Sequence, residues 1–169
     1  MSVQTSPQAT AIVDARVSAA AGELATRFRA AEPFPHVVID GFLDAALCRR
    51  LVETFPAYDD VRFRNDWGEL GKAWREDVSR LGSAWTELDR GLRSPAFLGL
   101  LSRISGIPNL LFDPSYFGGG THENLHDMEL DPHIDFNLHP QTQLHRRLNL
   151  LLYLNDEWDE AWGGSLELH

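Results

Sequence analysis

The order of local patterns along the chain is the feature that most limits its possible folds. Before about residue 108, apolar residues recur at helical spacing in three stretches. Later segments are short, strand-like and separated by turn residues such as Gly118-Gly119-Gly120 and Gly163-Gly164. Helices followed by a run of strands predict an α+β fold, in which a helical layer supports an antiparallel β-sandwich or barrel.

The three helical stretches have recognisable ends. Residues 11–31 are rich in alanine and predict an amphipathic helix. Asp44 is a candidate N-cap for a second helix that ends before Pro56. Ser94-Pro95 predicts the start of a third helix, which Gly106 stops. The predicted core face of this third helix consists of Phe97, Leu98, Leu101 and Ile104.

Two further segments before residue 108 are not helical in pattern. Val37-Val38-Ile39 is a β-branched run and predicts a short strand. Residues 58–80 are polar with no clear period, which predicts a long surface excursion able to act as a lid. Three tryptophans are assigned to this lid, namely Trp67, Trp74 and Trp85.

Composition excludes several classes of partner. The formal net charge of −10 argues against nucleic acid, whose phosphates favour clustered Lys and Arg, and against an anionic membrane surface. Apolar runs fall short of the roughly 20 residues that span a bilayer, and the N-terminus lacks the pattern of a secretory signal. The single cysteine, Cys48, demands no oxidising compartment. These features predict a cytoplasmic globular protein.

The sequence DPHIDF places a histidine and a carboxylate two residues apart. On an extended strand, His133 and Asp135 would point to the same face. In a β-rich region this spacing is typical of the first two ligands of a 2-His-1-carboxylate iron site. The alternative is a strand histidine that is hydrogen-bonded to a neighbouring carboxylate and has no chemical role.

The segment RRLNLLLYLN predicts a strand with two different faces. Alternation places Asn149, Leu151 and Tyr153 on one face and the leucines at even positions on the other, where they would pack against helices. The Tyr153 phenol could donate a hydrogen bond to the end of a small dicarboxylic acid. It could equally be a barrel tyrosine whose hydroxyl reaches solvent.

A compound pattern adds to these separate signals. It consists of PFPHVVIDGFL, DPSYFGGGTHENL and HIDFNLHPQTQLHRRLNLLLYLNDEWDEAWGGSLEL. Together these segments resemble the bacterial branch of the prolyl-4-hydroxylase-like Fe(II)/2-oxoglutarate dioxygenases. The resemblance runs from about Phe34 to the C-terminus.

The resemblance implies a fold and a set of site residues. The fold would be a double-stranded β-helix, or jelly-roll, flanked by N-terminal helices, with residues 1–31 as an extension and 32–169 as the dioxygenase domain. His133 and Asp135 would be iron ligands, and Tyr153 with Asn149 would contact 2-oxoglutarate. Arg146 and His122 would lie near the substrate. Gly163-Gly164 would form a turn that requires positive φ.

The implied reaction is hydroxylation of a small molecule or of a peptidyl, prolyl-type residue. Fe(II) is the implied cofactor, 2-oxoglutarate the co-substrate, and ascorbate a reductant. Halogenating relatives have a small residue at the carboxylate position, so Asp135 indicates hydroxylation.

The sequence also departs from the family pattern. A distal histidine and a basic residue that pairs with 2-oxoglutarate would come after His169, so we expect a jelly-roll that is incomplete at the C-terminus and a sequence that is part of a longer enzyme. His169 is a weaker candidate for the third ligand. The remaining histidines of this region are expected on the surface or in loops, namely His126, His139 and His145.

Two alternative functions remain open at the level of sequence. One is a non-catalytic jelly-roll that serves in binding or structure. The other is a cupin-like metal protein that uses no 2-oxoglutarate.

Overall fold

The structure is a computed structural model that describes residues 12–57, 73–124 and 133–168. Within these ranges it contains five α-helices, two short strands and two 3₁₀ turns. The α-helices are α1 (Ala15–Ala19), α2 (Ala21–Ala30), α3 (Ala45–Glu53), α4 (Ser83–Leu92) and α5 (Pro95–Ser105). The strands are β1 (Ala73–Arg75) and β2 (Thr121–Glu123), and the 3₁₀ turns are Val78–Arg80 and Glu160–Trp162.

The predicted N-terminal helix is present but divided. Asp14 caps α1 by accepting a hydrogen bond from the backbone N–H of Arg16 at 2.8 Å. A turn at Ala20 then separates α1 from α2. The buried residues Val17 and Leu24 pack in one cluster with residues of α5, so this region is part of the helical core.

The second helix confirms its predicted cap. The Asp44 carboxylate accepts hydrogen bonds from the backbone N–H groups of Ala46 at 3.1 Å and Leu47 at 2.9 Å. These contacts satisfy donors that the first turn of a helix leaves unpaired. Helix α3 turns Leu47 and Leu51 into the core, where they are 1% and 0% exposed.

Helix α5 begins and ends where the sequence predicts. The Ser94 hydroxyl accepts from the Phe97 N–H at 3.2 Å, and Gly106 ends the helix in the left-handed conformation, with φ at 74°. The buried face holds Phe97, Leu100 and Ile104, whereas Leu98 and Leu101 are only partly buried. The prediction was therefore right about the helix and its ends. Its buried face is rotated from the predicted one, so that Leu100 is buried and Leu98 and Leu101 are not.

The sequence patterns did not predict helix α4. This helix contains Trp85, which was expected in the lid. This side chain is 3% exposed and its indole N–H donates to the Thr54 carbonyl at 3.1 Å, so Trp85 belongs to the core and not to a lid. Phe55 meets its ring edge-on at 5.6 Å. Trp67 and residues 58–72 of the expected lid lie outside the described residues.

A buried carboxylate connects α4 to the segment that leads into β2. Asp89 is 8% exposed and receives two hydrogen bonds from Arg93, at 2.8 and 2.9 Å. The Tyr116 hydroxyl donates to the same carboxylate at 2.9 Å. Burial, together with this hydrogen bond to Asp89, raises the pKa of Tyr116 far above its ordinary value. The phenol therefore stays a donor across the physiological range.

The described strands are few. β1 and β2 pair antiparallel, with Trp74 opposite His122. Within the described ranges, the strands expected at 37–39 and 146–155 form no ladder, and the isolated bridge between Leu138 and His145 lies just before the second of these segments. A strand is defined by its pairing with a neighbour, which these segments lack in the described structure. The jelly-roll stays a prediction.

Two features of the C-terminal region do follow the predicted pattern. Gly163 and Gly164 both have positive φ, at 68° and 69°, which confirms their expected backbone role. Leu152 and Leu154 are partly buried against the helical core, while Leu151 and Tyr153 are 49% and 62% exposed. The predicted alternation of faces is therefore present over residues 151–154, without a ladder, whereas Leu150 is 38% exposed and departs from it. Across the described helices, none has the length and apolar character needed to cross a membrane.

The core predicts a sharp contrast between two neighbours on α3. Leu51→Ala should lower the free energy of unfolding by about 2–5 kcal/mol, because a fully buried side chain leaves a cavity. Val52→Ala, at a position that is 40% exposed, is the matched control and should change it by no more than about 0.5 kcal/mol. Urea unfolding followed by circular dichroism measures both, and equal losses would contradict the assigned face of α3.

Candidate metal centre

His133 and Asp135 face each other in the structure. The Nε2 atom of His133 lies 3.7 Å from Oδ1 of Asp135, and both side chains are about half exposed. Two ligand atoms at adjacent positions around one ion, each about 2.1 Å from it, are about 3 Å apart. The observed pair is wider than this, so the two half-exposed side chains would have to move slightly closer together to bind one metal ion.

The second oxygen of Asp135 is held by two other side chains. The Arg146 guanidinium lies 3.2 Å from Oδ2, and the side-chain amide of Asn149 donates to the same oxygen at 3.2 Å. Arg146 also donates to the amide oxygen of Asn149 at 2.8 Å. Four of the six residues that the sequence singled out thus form one connected cluster.

A turn between the two halves of the cluster explains how they meet. The backbone N–H of His139 donates to the Leu144 carbonyl, and that of Arg146 to the Asn137 carbonyl, each at 2.9 Å. These bonds fold the chain back so that Arg146 lies beside Asp135. The guanidinium also stacks over the Phe136 ring, 4.7 Å from its centroid.

His139 lies in this turn, in agreement with the expected loop position, but its side chain is buried at the centre of the turn. It is 8% exposed, and its Nδ1 atom accepts hydrogen bonds from the backbone N–H groups of Gln141 at 3.2 Å and Thr142 at 3.1 Å. Since Nδ1 acts as an acceptor, the proton of the neutral ring is on Nε2. Nε2 lies 3.3 Å from the Ser115 hydroxyl and 3.5 Å from the Asp113 carboxylate.

These three side chains do not form a nucleophilic triad. A serine nucleophile needs an unprotonated imidazole nitrogen to take its proton. Here the protonated Nε2 faces the serine, and the Ser115 hydroxyl donates to Asp113 Oδ1 at 2.6 Å. The group therefore supports the turn and does not activate the hydroxyl.

The environment of Asp113 favours its ionised form. Partial burial opposes ionisation, but hydrogen bonds from the hydroxyl and backbone N–H of Ser115 and from the backbone N–H of Phe117 lower the pKa of Asp113. The nearby His139 acts in the same direction. The carboxylate thus stays an acceptor for the segment that leads into β2.

The remaining predicted residues lie elsewhere. Tyr153 is 62% exposed, on the face opposite the leucines that pack on the core. His122 lies in β2 opposite Trp74, with an exposed side chain. No group of three His, Cys, Asp or Glu able to hold a metal occurs among the residues that the structure describes. His126 and His169, which the sequence also considered, lie outside those residues.

The sequence contains a local pattern from which the contact between Asp135 and Arg146 could have been predicted. A Pro-Gln-Thr stretch at residues 140–142, midway between Asp135 and Arg146, is typical of a turn. A hairpin at that place would have predicted the contact between the two residues. The buried role of His139 has no comparable signal, because it depends on the distant Asp113 and Ser115.

Comparison with known proteins identifies this region. Residues 120–169 match the family model of the 2OG-Fe(II) oxygenase superfamily. The matched segment includes all six predicted site residues, and it supports the assignment of this part of the chain to that superfamily. No curated protein and no solved structure gives a significant match to the chain.

The lowered pKa of Asp113 predicts a pH-dependent contribution to stability. A depressed pKa in the folded state stabilises the protein above the unfolded-state value and loses that effect as pH falls through the folded value. Wild type should therefore be more stable than Asp113→Asn near about pH 7, and the difference should shrink below about pH 4. Urea unfolding of both proteins at several pH values measures this, and a difference that does not change with pH would contradict it.

Proposed function

We propose that this protein is an Fe(II)- and 2-oxoglutarate-dependent dioxygenase of the prolyl-4-hydroxylase-like type. The observation that carries the proposal is the facing pair of His133 Nε2 and Asp135 Oδ1 inside the segment that matches the oxygenase superfamily. The superfamily that residues 120–169 match is one that implies Fe(II) and 2-oxoglutarate. The prolyl-type relationship and the jelly-roll are proposed on the resemblance of the sequence motifs.

The donor atoms suit the proposed metal. An imidazole nitrogen and a carboxylate oxygen are the ligand types of the facial triad of non-haem Fe(II) oxygenases, which leaves other positions open for reactants. When bound, the iron and 2-oxoglutarate, with O₂ as the oxidant, would supply the chemistry that inserts an oxygen atom into a C–H bond. The chain itself would supply two ligands and the residues that orient them.

The roles of the other site residues are proposed on the resemblance of the sequence motifs. Tyr153 and Asn149 are proposed as contacts of 2-oxoglutarate, since a phenol and an amide can both donate to its carboxylates. Arg146 and His122 are proposed on the substrate side. The substrate would be a small molecule or a peptidyl residue, and ascorbate would serve as reductant.

Conversion of 2-oxoglutarate to succinate tests the proposal. Asp135→Ala and His133→Ala should each abolish Fe(II)-dependent succinate formation, because either change removes a ligand. His145→Ala is the matched control, since this exposed histidine lies in the same region and should retain turnover. Succinate can be quantified by mass spectrometry after incubation with Fe(II), ascorbate and 2-oxoglutarate.

The outcomes separate the alternatives. Metal binding that depends on His133 and Asp135, without affinity for 2-oxoglutarate, would favour a cupin-like metal protein. Metal binding that neither substitution changes would contradict the proposed site and favour a non-catalytic domain.

A further inference from the structure

The two oxygens of the Asp135 carboxylate have different surroundings. Oδ1 faces His133, whereas Oδ2 is bound by both Arg146 and Asn149. We propose that Arg146 and Asn149 are positioning residues that hold Asp135 so that Oδ1 alone is available to a metal ion. This role rests on the proposed function, because it concerns the same metal centre.

The contacts to Oδ2 act on the terminal torsion of the Asp135 side chain, which is otherwise free to rotate. The terminal torsion of an aspartate side chain is broad and roughly two-fold, so the two oxygens exchange places easily when nothing holds them. The ion pair with Arg146 and the hydrogen bond from Asn149, each at 3.2 Å from Oδ2, restrict that rotation. For both oxygens to bind one metal ion, Oδ2 would have to give up both contacts, so the arrangement favours coordination through Oδ1.

Arg146 also fixes which end of Asn149 meets the carboxylate. Its Nη2 atom donates to the amide oxygen of Asn149 at 2.8 Å, which leaves the NH₂ group to face Asp135. The opposite orientation would place the amide oxygen against the Oδ2 oxygen, where neither atom can donate. Asn149 therefore depends on Arg146 for its ability to hold Asp135.

Arg146 is itself held in place from two sides. Its guanidinium stacks over Phe136, and its backbone N–H bonds to Asn137 across the turn. Only 22% of its side chain is exposed, compared with 45% for Asp135. The less exposed Arg146 side chain thus holds the more exposed Asp135 carboxylate in one orientation.

Asn149→Leu is the sharpest test of this role. Leucine has a similar size and no hydrogen-bonding groups, and it leaves the charges of the site unchanged. Asn155→Leu is the matched control, because Asn155 is an exposed amide on the same segment. The probe is Co(II), whose visible absorption reports the number and geometry of its ligands.

The expected result concerns both affinity and spectrum. Asn149→Leu should raise the dissociation constant for Co(II) by about 10–100-fold, the range seen when a residue that orients a metal ligand is removed. At saturating Co(II) its visible spectrum should also differ from that of wild type, because Asp135 is free to rotate. Asn155→Leu should match wild type in both. A loss of global stability alone would not alter the spectrum of the saturated, folded protein.

His133→Ala separates failure of this inference from failure of the proposed function. If wild type and His133→Ala bind Co(II) equally, the metal centre itself is wrong. If His133→Ala loses binding while Asn149→Leu keeps the wild-type affinity and spectrum, the metal centre stands and the positioning role is overturned. Should circular dichroism show Asn149→Leu to be unfolded, Arg146→Lys takes its place. It keeps the charge and replaces the planar group that orients Asn149, and the same changes are expected.

Discussion

The buried carboxylate of Asp89 is the interaction on which the arrangement of the described structure depends most. Removing a charge from water is costly unless hydrogen bonds and an opposite charge compensate for it. Arg93 on the same helix supplies the charge, and Tyr116 from a segment far along the chain supplies a further donor. Because the carboxylate needs these partners, the segment around Tyr116 is held against α4.

This attachment extends by contacts towards the candidate metal centre. Next to Tyr116, Asp113 and Ser115 contact the buried imidazole of His139. His139 in turn accepts from the backbone of the turn that brings Arg146 beside Asp135. Phe117 adds an edge-on contact with Phe136, whose ring carries the Arg146 guanidinium. The helical layer therefore positions the candidate metal centre through a continuous set of polar and aromatic contacts.

The cluster around Asp135 adds side-chain geometry to the superfamily match. The match identifies a segment, and the geometry shows what that segment does with its charged and polar groups. One carboxylate oxygen faces an imidazole and the other is held by a cation and an amide. If a metal ion binds here, such an arrangement would present Asp135 in a restrained orientation and reduce the side-chain freedom that binding has to remove.

Local sequence determined the features that arise from local interactions. Asp44 and Ser94 cap helices because their side chains reach backbone donors two or three residues away, and Gly163 and Gly164 adopt positive φ because they have no Cβ. The two-residue spacing of His133 and Asp135 was enough to predict that they face each other. Such contacts depend on few intervening torsions, so residue type and spacing almost fix them.

Only the tertiary structure decided the rest. Trp85 looked like part of a polar loop, because its burial depends on Thr54 and Phe55 from another helix end. His139 is the loop histidine that was expected, but its burial depends on the distant Asp113 and Ser115. The sequence marked Arg146 and Asn149 as site residues and contained a turn signal between Asp135 and Arg146, but it did not show that both side chains contact the same carboxylate oxygen. Burial and the exact pairing of side chains depend on how whole elements pack, which local patterns do not determine.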